Sequence, residues 1–189
     1  MKLVLGSASS RRKQILEEMG YEFEVVAPDI DEKSIRDPDP RKLVLQLARA
    51  KADAVIKKLK EPSLVLTADQ VIYFHGKIHE KPESKEEARI MLQGYGTHPI
   101  EEYTAVVVTN SASGKEHSAT NVSKFAFKPL PNKVIEEWLK KRNPLDHAGG
   151  FAMQDEIILP YWTRIDGRRD SIMGLPKELT RRLLKQAGF

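Results

Sequence analysis

Cysteine is absent from the 189 residues. That excludes disulfides and thiolate metal sites, and it agrees with a reducing compartment. No apolar run approaches the roughly 20 residues a bilayer span needs, and the N-terminus lacks the long apolar core of a signal peptide. No membrane partner is therefore expected. Internal repeats, linkers and low-complexity tracts are missing too, as is any G-x-x-x-x-G-K-[ST] string, which disfavours a P-loop kinase or ATPase. No basic block is interleaved with aromatics; Lys57-Lys58-Leu59-Lys60 and Lys140-Lys141-Arg142 read as solvated helix ends. Asn121-Val122-Ser123 matches a glycosylation acceptor, a chance match without a secretory signal. What is present, 40% hydrophobic and 31% charged residues, describes a soluble globular chain with one substantial core, or two lobes sharing it. The formal charge of +4 favours an anionic partner, either nucleic acid or the phosphates of a nucleotide.

The chain begins with a strand, Leu3 to Leu5, ended by Gly6. Ser7, Ser9 and Ser10 follow, then a helix with Ile15, Leu16 and Met19 on one face and Gly20 at its end. Ser9 or Ser10 fits the N-cap. A strand, a serine turn and a helix start present free N–H groups and the positive end of the helix dipole, and Arg11 and Arg12 add two charges. Locally this reads equally as an anion cradle or as an ordinary capped helix with solvated arginines.

Tyr21 to Val26 alternates like a strand, and the acidic loop Asp29-Ile30-Asp31-Glu32 follows. A long helix from near Arg41 carries a buried stripe of Leu43, Leu47, Ala50 and Ala54. Lys51 lies at the margin of that stripe, so its ammonium either snorkels to water or points into a site. Two apolar runs, Ser63 to Thr67 and Val71 to Phe74, flank Ala68-Asp69-Gln70. A carboxylate there is costly unless a cation, a metal or hydrogen-bond donors meet it, which marks Asp69 as functional. His75-Gly76-Lys77 is a turn, and its returning strand reaches Glu80-Lys81-Pro82. His75 and His79 are turn and edge residues in this reading, not metal ligands. Ser84 and Glu87 form a capping box for a helix through Gln93. A hairpin of Tyr103 to Thr109 and Glu116 to Lys128 is followed by an amphipathic helix over 131–142. Then come a glycine-bearing loop with Gln154, a strand over 161–165 and a terminal helix over 176–187. The pattern predicts an α/β fold with a mixed sheet and flanking helices, arranged as two lobes around a cleft within one domain spanning 1–189.

The polar residues left over are Ser7, Arg11, Arg12, Glu32, Lys51, Asp69, Lys81 and Gln154. Four cations and two acids describe a polyphosphate–metal site, in which cations neutralise phosphate oxygens while acids hold a divalent ion and orient water. Without cysteine or a histidine pair, a hard ion such as Mg2+ or Mn2+ is the natural choice.

Leu5-Gly6-Ser7-Ala8-Ser9-Ser10-Arg11-Arg12 resembles the N-terminal signature of the Maf-like nucleoside triphosphate pyrophosphatases. Further strings follow in that family's order over nearly the whole chain: Asp31-Glu32, Ala48-Arg49-Ala50-Lys51-Ala52, Ala68-Asp69-Gln70-Val71, Glu80-Lys81-Pro82, Tyr103-Thr104-Ala105, Ala148-Gly149 with Gln154, and Gly174-Leu175-Pro176. The resemblance implies metal-dependent hydrolysis of a nucleoside triphosphate to a monophosphate and pyrophosphate. It also implies a house-cleaning role on non-standard nucleotides in the cytoplasm, an inosine-triphosphatase-like elongated sheet, and a homodimer. It places the proton-accepting acid at Asp69, with Glu32 beside it on the metal. Arg12, Lys51 and Lys81 would hold phosphates, Arg12 and Lys81 also serving catalysis, and Ser7, Arg11 and Gln154 would complete the substrate site. Gln70 would read a base edge or shape the metal site. Asp69-Gln70 resembles the 7-methyl-GTP branch; Gln154 stands where the dTTP/UTP branch has Ile-Gln-Gly, but Asp155 replaces the glycine, so base choice stays open. Two rival readings are a non-catalytic nucleic-acid-binding module, with no stable nucleic-acid partner expected if the enzyme reading holds, and a regulator of septum formation.

Overall fold

The computed structural model describes residues 1–166, 172 and 174–189, with only the backbone at 164 and 165. It is a mixed α/β structure whose chain forms two compact units, one of Met1–Gln70, Thr104–Asn121 and Asp170–Phe189, the other of Val71–Tyr103 and Val122–Arg169.

In the first unit, β1 (Lys2–Leu5) pairs in parallel with the short β2 (Glu24–Val25) and with β3 (Ser63–Phe74), Leu5 lying opposite both Val25 and Leu66. β5 (Ile100–Asn110) and β6 (Glu116–Phe127) complete the order β2-β1-β3-β5-β6. Helices cover the two faces, because successive side chains of a strand point opposite ways. Leu3, Leu5, Leu64, Leu66 and Ala68 pack against Ile15 and Leu16 of α1 (Ser10–Glu18) and Leu183 and Leu184 of the C-terminal helix Lys177–Gln186. Val4 and Val65 pack instead against Ala52 and Val55 of α2 (Pro40–Ile56). Asp39 starts α2 by accepting from the Arg41 amide at 2.9 Å, with Pro40 in the first turn, where a missing N–H costs nothing.

The second unit holds the end of β3, which turns at His75-Gly76 into the antiparallel β4 (Lys77–His79), and the pairing of β6 with β7 (Trp162–Asp166). Its core is aromatic: the Trp162 ring lies 4.5 Å from Phe127 and 4.7 Å from Phe125, and Phe151 stands edge-on to both phenylalanines. α3 (Lys85–Gly94) and α4 (Asn132–Lys141) pack together, and Trp138 of α4 donates its indole N–H to the Gly150 carbonyl at 2.8 Å.

Three expectations change. The strand expected over 21–26 shrinks to two residues, because Tyr21 and Phe23 cover the end of the core instead of alternating along a ladder. The two apolar runs around Asp69 are one continuous 12-residue strand. The returning strand stops at His79, short of Lys81.

Candidate active site

In the first unit, the buried ionic groups gather where β1, β3 and α2 meet. Gly6 makes the approach possible: its amide donates to the Leu66 carbonyl at 2.8 Å, and a Cβ there would stand 2.6 Å from Thr67 Cγ2. The chain then turns through Ser7, whose buried Oγ accepts from the Ser9 amide at 3.2 Å and from Arg12 Nη1 at 3.5 Å. Ser9 caps α1 by accepting from the Arg12 amide. Arg12 is buried on the first turn of that helix and also donates from Nε to the Gly174 carbonyl at 2.9 Å. Arg11, beside it, is half-buried.

Lys51 does not snorkel. Its side chain is 7% exposed, and its ammonium is bonded to Asp69 Oδ1 and lies 3.1 Å from Glu32 Oε1. Asp69 is as deeply buried at 8%, while Glu32 is 54% exposed. Each group has a local cause. Thr67, two residues before Asp69 on the same face of β3, donates its hydroxyl to the Ala48 carbonyl at 2.7 Å. That bond fixes the turn of α2 from which Lys51 projects three residues later. Glu32 opens a one-turn 3-10 helix, Glu32–Ser34, capped by Asp31, whose side chain accepts from the Lys33 amide at 3.1 Å.

Burial pushes the Asp69 carboxyl above the usual carboxylate range; Lys51 and then Arg12 pull against that shift, and Glu32 adds to it. The four groups carry two charges of each sign. Two carboxylates, both oxygen donors, fit a hard divalent ion of the kind that uses one or two protein acids and takes its remaining ligands from phosphate and water. Among the described residues no set of three or more acids and histidines could hold an ion unaided.

Gln70 faces away from Lys51 and the Asp69 carboxylate, toward the side where Arg12 bonds Gly174. Alternation puts it on the side of α1 and the C-terminal helix, its buried Oε1 having no hydrogen-bond partner among the described residues and lying directly against Gly174. Gly174 has φ +98°, a conformation open to glycine, and a side chain there would strike that oxygen. This contact and the Thr67 anchor had no local signal in the sequence: both join residues far apart in the chain through single atoms. Lys81 and Gln154, both exposed, belong to the second unit. Asp155, next to Gln154, accepts from Arg142 Nε at 2.5 Å and from the Ile157 amide at 2.9 Å, so it fastens its own loop.

No helix among the described residues is long and apolar enough to cross a membrane. A solved structure, the Ham1 protein of Staphylococcus aureus, superposes with a TM-score of 0.50 at 12% identity, covering 99% of this chain and 97% of that one, and so shares the fold. A 7-methyl-GTP pyrophosphatase of Dictyostelium discoideum is 40% identical over 97% of this chain and 96% of its own length. A dTTP/UTP pyrophosphatase of Vibrio parahaemolyticus is 34% identical over 98% of this chain and 97% of its own. The family model described as Maf-like protein matches residues 2–187. With its motifs, its fold and its full-length relatives in agreement, the chain belongs to the Maf-like protein family.

Proposed function

We propose that this chain is a nucleoside triphosphate pyrophosphatase that cleaves between the α and β phosphates, releasing a nucleoside monophosphate and pyrophosphate. The observation that carries the reading is the buried Lys51–Asp69 pair with Glu32 and Arg12 around it. A triphosphate resists water because its own charge repels the nucleophile. Catalysis therefore needs fixed cations on the phosphate oxygens and an acid to take the proton of water. Arg12 and Lys51 supply the cations, and Ser7 with the N-terminus of α1 completes the cradle. Asp69, kept basic by burial, is the proton acceptor. Glu32 and Asp69 would hold a divalent ion, Mg2+ or Mn2+, which when bound supplies further neutralisation of phosphate charge and polarises water. Arg11, Lys81 and Gln154 are assigned to the substrate by the family resemblance, as are the single catalytic domain, the homodimer and the house-cleaning role in the cytoplasm.

Among bases, the reading favours 7-methyl-GTP over dTTP and UTP. Asp69-Gln70 resembles that branch, and the relative at 40% identity bears that name. Asp155, the departure that left the choice open, serves its own loop.

The test is pyrophosphate release from dTTP, UTP, CTP, 7-methyl-GTP and the standard purine triphosphates, with and without Mg2+ or Mn2+. Metal-dependent release is expected, with 7-methyl-GTP giving the highest kcat/KM. Asp69→Asn should lose about 10²- to 10⁴-fold in kcat, the range for removing a general base. Full activity in that variant would remove Asp69 from its role. No release with either metal, together with steeply salt-dependent nucleic-acid binding, would favour the rival binding module.

A further inference from the structure

We propose that Lys51 is the resident counter-cation of the Glu32–Asp69 pair, and that a divalent ion must displace it from those two carboxylates. The inference rests on the reading of Glu32 and Asp69 as the metal-holding acids and adds the order in which the site fills. One ammonium touches an oxygen of each acid, bonded to Asp69 and 3.1 Å from Glu32. An ion taking ligands from both acids competes for the negative charge that Lys51 already uses. Lys51 is too buried for solvent to screen its repulsion of a second cation. The helix backbone beneath it is pinned through Ala48 to Thr67, so relief comes from the side chain, whose four-carbon stem swings a compact charge. A nucleotide phosphate gives the ammonium a new partner and frees the acids. The free protein thus binds the ion weakly, and the ion and the triphosphate enter together. A lysine here prevents the site from filling with metal alone.

The experiment measures Mn2+ binding to the substrate-free, full-length protein from the electron paramagnetic resonance signal of the unbound ion. Lys51→Met and Lys51→Gln remove the charge, the second retaining a hydrogen-bond donor so that a folded variant is available if the first fails to fold. Lys51→Arg retains the charge. At least tenfold tighter Mn2+ binding is expected in Lys51→Gln, and in Lys51→Met if folded, with Lys51→Arg as weak as the parent. Adding Glu32→Gln to Lys51→Gln should abolish the gain. Mn2+ binding to Lys51→Gln no tighter than to the parent overturns the proposal, and so does a gain that survives Glu32→Gln. Pyrophosphate release by the unmodified enzyme is a separate readout: its presence without the tenfold gain sinks the displacement while leaving the activity, and its absence sinks the activity itself.

Discussion

Replacing Gly6 with alanine tests how tightly the turn under the site is packed. The added Cβ would sit 2.6 Å from Thr67 Cγ2 and 3.0 Å from Val55 Cγ2, and both side chains are fully buried. Thr67 cannot rotate away without giving up its 2.7 Å bond to the Ala48 carbonyl. Overpacking of this kind costs about 1–3 kcal/mol. At roughly 2–4 °C per kcal/mol for a protein of this size, a loss of about 2 kcal/mol lowers Tm by about 4–8 °C. Thr67→Ser removes the obstructing methyl and retains the hydroxyl; alone it costs about 1 kcal/mol for the buried methyl lost. In the double variant the alanine methyl takes the vacated room, so the pair should be about 1–2 kcal/mol more stable than the sum of the single losses predicts. Urea midpoints at constant m measure all four proteins. Strict additivity, or a Gly6→Ala protein as stable as the parent, would refute the steric argument.

Two further outcomes follow from the same structure. Arg49 of α2 grips Glu116 of β6 with both Nε and Nη2, at 2.8–3.1 Å, and this hydrogen bonding holds the Glu116 carboxyl below its ordinary range. The stabilisation is therefore complete above the unfolded glutamate value and is lost as pH falls through the lower, folded one. Glu116→Gln should cost roughly 0.2–1 kcal/mol at pH 7, as for a partly exposed pair, and progressively less as pH falls below the ordinary glutamate range, read from urea midpoints across that range; a constant difference would contradict the linkage. Trp138→Phe leaves the Gly150 carbonyl without its 2.8 Å donor and opens space around a fully buried ring, so stability should fall by about 1–3 kcal/mol, measured by the same midpoints.

Local patterns made the scaffold legible. The apolar triplet, the serine cap and the spacing of Leu43 and Leu47 each specify their element within one or two turns, and β1, α1 and α2 form there. The Ser84 cap was also legible, although the returning arm of its box goes elsewhere: Glu87 accepts from the Glu83 amide. Asp69 stood out because an acid between two apolar runs must have a partner, yet the partner could not be chosen. Periodicity put Lys51 at the edge of a stripe, and only the tertiary approach of α2 to β3 separates snorkelling from pairing. Tyr21 and Phe23 misled because alternation on an edge reads the same whether side chains extend a ladder or close a core.

Neighbouring residues of β3 look in opposite directions: Asp69 toward α2 and Lys51, Gln70 toward Gly174. One peptide plane thus separates the acid from whatever residue 70 meets. Residue 70 can therefore be varied in a library on the face opposite the Lys51–Asp69 pair, while Gly174 is held by its backbone conformation and by the bond from Arg12. A strand so arranged lets one face change while the buried pair on the other stays put.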